Sequence, residues 1–148
     1  MAHYQLVMVR EIKYAPPVLK NFGEEYQGSN HFLTKEDEWR AKHEGKFLLS
    51  ALEDTIKVWA LGGSYEHTQV YGGCNVEGDI VLGGGNISVY NEEKNSFRVY
   101  SRSYDFGSLP NKVLEDYFSS FGYSVKADMV KGIKDSACQW FREHGIDI

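Results

Sequence analysis

Cysteine is scarce in this chain, since Cys74 and Cys138 are the only two and their spacing fits no metal-ligand or redox motif. That rules out a disulfide framework, and two free thiols suit a reducing compartment. No apolar stretch approaches the roughly 20 residues of a membrane span. Met1-Ala2-His3-Tyr4 lacks the charged and apolar regions of a signal peptide, so a cytoplasmic protein with no membrane partner is expected. Positive charge is also short: 16 Lys and Arg against 21 Asp and Glu leave a net charge of −5, which argues against a non-specific nucleic-acid surface. No His-x-x-x-His or Cys-x-x-Cys occurs, so no metal is expected. Internal repeats and low-complexity tracts are absent too.

What remains has the make-up of one ordinary domain. At 42% hydrophobic and 25% charged, the 148 residues sit near the globular average and are enough for one sizeable core. Residues 4–9 form a short apolar run consistent with an internal strand. Ala15-Pro16-Pro17 stops a regular ladder, because two prolines remove two donors. From 18 to 32 the chain reads as an irregular surface excursion with turn signals at Asn21-Phe22-Gly23 and Gln27-Gly28-Ser29-Asn30. Thr34-Lys35-Glu36-Asp37 resembles a capping box opening a polar helix over 36–42, and Gly45 is expected to end it. Two apolar runs, 47–52 and 56–61, flank Glu53-Asp54-Thr55 and predict a hairpin, with a continuous helix through Leu52 as the competing reading.

A second hairpin is predicted where Ile87 and Val89, then Phe97 and Val99, alternate with polar neighbours around the turn-like 91–95. After Ser108 the period changes. Val113, Leu114, Tyr117, Phe118 and Phe121 fall on one helical stripe, Ser108 is the expected cap, Pro110 suits the first turn, and Gly122 suits the C′ position. Residues 123–130 read as a last strand with Val125, Ala127 and Met129 on one face. Residues 133–144 read as an amphipathic helix ended by Gly145, carrying Ile133, Ala137, Trp140 and Phe141 on its buried side. The sum is an α+β domain, a mixed or mostly antiparallel sheet of five or six strands with two or three packed helices.

The chemistry is concentrated at the join Ser101-Arg102-Ser103-Tyr104-Asp105-Phe106-Gly107-Ser108. A strand that passes through a Ser-rich, glycine-containing turn into a helix leaves backbone N–H groups converging on one spot, which suits a phosphate or carboxylate. A tight turn with no ligand is the plain alternative. Of the histidines, His67 in Tyr65-Glu66-His67-Thr68-Gln69-Val70-Tyr71 is the leading chemical group. His3, His31, His43 and His144 are weaker, His43 lying on a charged helix face and His144 in a last helical turn.

Several of these motifs together resemble the phosphohistidine phosphatase family, also called Janus/Ocnus. They are Gly83-Gly84-Gly85-Asn86-Ile87, the hairpin after it, Val99-Tyr100-Ser101-Arg102-Ser103 and Phe106-Gly107, preceded by His67 with Val70 and Tyr71. The resemblance is concentrated in residues 62–125, and residues 13–46 and 131–148 read as additions to the core that it leaves unexplained. It implies cofactor-independent hydrolysis of phosphohistidine or a related phosphoramidate, on a protein or a small molecule. It also implies that His67 is catalytic and that Arg102, Ser103, Tyr104, Asp105 and Gly107 hold the phosphoryl group. The family uses a basic residue from its first strand on the phosphate, for which His3 by position and Arg102 by proximity are the candidates. Three departures stand out: Asn86 replaces a basic residue, Ser101 replaces a glycine, and Asp105 replaces a small apolar residue. Residues 67–83 are short for the family's helix, and Gly72-Gly73 with Gly78 predict a loop there. The reading from a different class is a non-catalytic module that binds an anionic ligand, or a partner protein through residues 13–46.

Overall fold

In the computed structural model of the chain, the described residues are 12–20, 35, 43–63, 65–74, 78–91 and 96–148. They build an α+β architecture around one mixed sheet with three helices. The strands are β1 (Lys13–Tyr14), β2 (Val18–Lys20), β3 (Glu44–Leu52), β4 (Thr55–Gly62), β5 (Ile80–Asn91), β6 (Ser96–Ser101) and β7 (Ser124–Met129). The helices are α1 (His67–Cys74), α2 (Asn111–Ser119) and α3 (Asp135–Glu143). The sheet order is β1-β4-β3-β5-β6-β7, with β2 also on β4. The two hairpins, β3-β4 and β5-β6, are antiparallel, while β7 joins β6 in parallel after α2 has crossed over. None of the described helices is long and apolar enough to cross a membrane.

Both predicted hairpins form, and the competing helix through Leu52 does not. Gly45 lies inside β3 opposite Gly62 instead of ending a helix. The expected strand at 4–9, the helix at 36–42 and the turn at 92–95 lie outside the described residues. Val18–Lys20, expected to be irregular, is a strand parallel to β4 and, among the described residues, at the edge of the sheet.

The edge made by β1 and β2 is broken where Ala15-Pro16-Pro17 has lost two donors. A side chain mends the break. The Tyr117 hydroxyl accepts from the Val58 N–H at 3.1 Å and donates to the Ala15 carbonyl. Burial then pushes the Tyr117 phenol well above its usual range, so it stays a neutral hydroxyl able to do both.

Alternation along the strands divides the apolar residues between two faces. One face carries Phe47, Leu49, Ile56, Val58, Ile87, Val89, Phe97 and Val99 beneath α2 and α3, which contribute Leu114, Tyr117, Phe118, Trp140 and Phe141. The C-terminal segment 131–148 therefore supplies part of the core. The other face is smaller, with Leu48 and Val70 fully buried among Trp59, Leu61, Val81 and Phe106 under α1. Helices α2 and α3 end alike. A positive-φ glycine, Gly122 or Gly145, precedes an N–H that reaches back to the last turn, Tyr123 to the Phe118 carbonyl and Ile146 to the Phe141 carbonyl. The start of α2 differs from expectation. Pro110 occupies the cap position without a side-chain bond, and the Ser108 hydroxyl donates to the Val130 carbonyl.

Candidate functional site

The residues expected to form a loop after His67 form α1, despite Gly72 and Gly73. Two glycines cost a helix about 2 kcal/mol relative to alanine. Burying Val70 against Leu48 returns about 1.5–3 kcal/mol. The stacking of Tyr71 on Phe106, with ring centres 5.9 Å apart, adds to that. At the start of α1 the Gln69 side chain accepts from the Glu66 N–H at 2.8 Å, one half of a capping box. This makes His67 the first helical residue.

His67 is 4% exposed, and its Nε2 lies 2.9 Å from the Gly85 carbonyl oxygen. A carbonyl only accepts, so Nε2 carries the proton and Nδ1 keeps its lone pair in the neutral ring. Burial is the main cause holding the imidazole below its usual pKa, and the Lys46 charge adds to it, while the Gly85 bond, Asp105 and Glu66 oppose. The ring is thus a neutral base with one nitrogen fixed.

The loop after β6 leans on the neighbouring peptide of the same strand. Gly84 donates to the Gly107 carbonyl at 3.0 Å and accepts from the Ser103 N–H at 2.9 Å. Ser103 and Gly107 also pair with each other, closing the turn, and the Ser103 hydroxyl accepts from the Phe106 N–H at 3.0 Å. These bonds use the N–H groups of Ser103, Phe106 and Gly107. Among the described residues the N–H groups of Tyr104 and Asp105 have no backbone or side-chain acceptor. The glycine run allows this close approach. A Cβ at Gly83 would stand 2.3 Å from the Ser108 carbonyl oxygen, and one at Gly84 would stand 2.2 Å from that of Phe47. Ser101, where the resembled family has glycine, takes the left-handed φ of 65° that a glycine would adopt without cost.

His67, Ser103 and Gly107 are buried, whereas Arg102, Tyr104 and Asp105 are exposed, Tyr104 at 91%. His67 and the loop meet on adjacent peptides of β5, and Phe106 packs on the α1 face. Arg102, Ser103, Tyr104 and Gly107 line a cavity of about 330 Å³ that His67 does not border. Two parts of the expected cradle differ. The Ser108 N–H goes to the Gly132 carbonyl at 3.1 Å, and α2 starts only at Asn111, so the loop does not open directly into a helix. The guanidinium of Arg102 stands over the Tyr104 ring, 5.9 Å from its centre, and is not among the charges acting on His67. His3 and His31 lie outside the described residues.

Sequence reasoning missed two lysines. Lys46 on β3 pairs with Asn86 of β5 and is the cation that acts on the His67 ring. Its only sequence signal is a lysine immediately before the apolar run 47–52. Lys134 donates from Nζ to the Asp105 carbonyl, fastening the C-terminal segment to the loop. Nothing local to Lys134 announces that contact. Compared with known proteins, the chain matches no family model and no curated protein.

Proposed function

We propose that this chain is a cofactor-independent phosphatase acting on phosphohistidine or a related phosphoramidate, with His67 as the phosphoryl acceptor. One observation carries the reading. The imidazole and the turn at 103–107 hang from consecutive peptides of one strand, Gly85 and Gly84. The Asp105 charge acts on the His67 ring, and the reaction requires a phosphoryl group that meets the Nδ1 lone pair on one side and the N–H groups of Tyr104 and Asp105 on the other. The resemblance of this constellation to the Janus/Ocnus motifs points the same way, and Lys46 fills the role of the family's first-strand cation.

In the reaction, Nδ1 attacks phosphorus while the substrate's P–N bond breaks, and the leaving nitrogen takes a proton from water. The hydroxide left behind then attacks the phosphorylated ring, releasing inorganic phosphate and restoring the Nδ1 lone pair. The N–H groups of Tyr104 and Asp105 take up charge on the phosphoryl oxygens in both steps.

The test is hydrolysis of a histidine-phosphorylated peptide by the wild-type chain and by His67→Ala and His67→Asn. The expected result is loss of activity by about 10²–10⁴-fold in both variants, with the native fold retained by circular dichroism. An acid-labile phosphoryl group trapped on His67 in the wild type marks the acceptor role. Loss of activity without a trapped group assigns His67 to proton removal from water instead. Full activity in both variants refutes the proposal.

One observation favours a binding module for a partner protein over an anion site. Asp105 places a carboxylate in the turn whose N–H groups would receive the phosphoryl oxygens, which weakens any anion held there. On that reading phosphate binds feebly, and substitution of His67 changes no rate.

A further inference from the structure

The cavity beside the loop has a cationic lining. It is lined by Arg102, Ser103, Tyr104, Gly107, Gly132 and Lys134, two cations and no carboxylate, in a chain whose net charge is −5. The carboxylates nearest in sequence, Asp105 and Asp135, do not line it. Both cations are held in place. The Lys134 ammonium is anchored on the Asp105 carbonyl and lies 5.9 Å from the Phe106 ring centre, and the Arg102 guanidinium rests over Tyr104. The wall that carries Lys134 is fixed as well. Val130 donates to the Ser101 carbonyl and Ser108 to the Gly132 carbonyl, both at 3.1 Å, and the Ser108 hydroxyl donates to the Val130 carbonyl.

We infer that this cavity is a second anion subsite, which selects phosphorylated polypeptides carrying a Glu or Asp side chain close to the phosphorylated residue. This rests on the phosphatase reading. Ser103 and Gly107 belong both to the cavity wall and to the turn bonded to Gly84, so a chain with its phosphoryl group on the turn has its neighbouring residues over Arg102 and Lys134. Cations already held by a carbonyl and a ring face lose less freedom on meeting a carboxylate than free side chains do. A small phosphoramidate does not reach this subsite.

The experiment compares two synthetic histidine-phosphorylated peptides that differ only in Glu or Gln on either side of the histidine. The wild type is expected to favour the Glu peptide in kcat/KM by about three- to tenfold, a preference that shrinks with added salt. In Arg102→Gln/Lys134→Gln the ratio falls to near one. In Arg102→Glu/Lys134→Glu it reverses toward a peptide with flanking lysines. Lys134→Arg, which keeps both charge and donor, retains the preference and so separates recognition from loop support.

Hydrolysis with equal rates for both peptides in every variant overturns the subsite while leaving the phosphatase reading intact. If neither peptide is hydrolysed, the phosphatase reading falls and binding decides the subsite. Saturable amide shifts at Gly107, Gly132 and Lys134 with the unphosphorylated Glu peptide, absent in Arg102→Gln/Lys134→Gln, uphold it. The absence of such shifts in the wild type overturns it.

Discussion

The Nε2 atom of His67 sits 2.9 Å from the carbonyl oxygen of Gly85, a residue with no side chain of its own. That contact fixes the tautomer and leaves the lone pair on Nδ1.

The pH dependence follows from the depressed pKa of His67, of which burial is the largest cause. Above its usual value near 6.5 the ring is neutral in both folded and unfolded chains, and its contribution to stability is constant. As pH falls below 6.5 the unfolded chain takes up the proton first, so stability declines until the folded pKa is passed. The expected result in urea titrations at a series of pH values is a stability loss below pH 6.5 that shrinks in His67→Asn. The acidic limb of kcat/KM should also lie below that value.

Asp105 and Lys46 act on the same ring with opposite sign. Asp105→Asn is expected to lower the His67 pKa further and to tighten inorganic phosphate about two- to fivefold. Lys46→Met should raise the pKa and weaken phosphate. NMR titration of the imidazole together with phosphate binding checks both, and shifts of equal sign in the two variants contradict the assigned charges.

The hydroxyl of Tyr117 serves the Val58 N–H and the Ala15 carbonyl together. Tyr117→Phe is expected to cost about 2–3 kcal/mol, because it leaves both groups unpaired. Amide exchange should show Val58 losing protection ahead of the central strands. Unchanged protection at Val58 means that the break in the edge is sealed by something else.

Ser101 holds φ at 65°. Ser101→Gly removes a cost of about 1–2 kcal/mol and loses about 0.4–1 kcal/mol to the freer unfolded chain, for a net gain of about 0.5–1 kcal/mol. Calorimetry should register a Tm increase of about 2–4 °C.

The two hairpins, the stripe of α2 and the turn at 103–107 were legible in sequence because alternation, helical spacing and turn residues agree there. Helix α1 was not, since Gly72 and Gly73 argue against a helix locally and only the packing of Val70 and Tyr71 overrides them. Lys46 looks like any lysine on a strand until the β3-β5 register sets it opposite Asn86. Nor can β2 be read from composition, because its pairing with β4 resumes only after Ala15-Pro16-Pro17 has been bridged by a residue about a hundred positions away. His67 stands out by its local pattern, but its proton state depends on Gly85 and on burial, which no local pattern contains.

The run Gly83-Gly84-Gly85 gives the proposed site a floor made of main chain alone. A Cβ at Gly85 would stand 2.7 Å from the Tyr100 carbonyl oxygen, as unwelcome as at its two neighbours. Selection or redesign therefore has no handle on that floor, and any retuning of specificity or rate must come from the rim, where Lys46, Asp105 and Lys134 can change without disturbing the strand beneath.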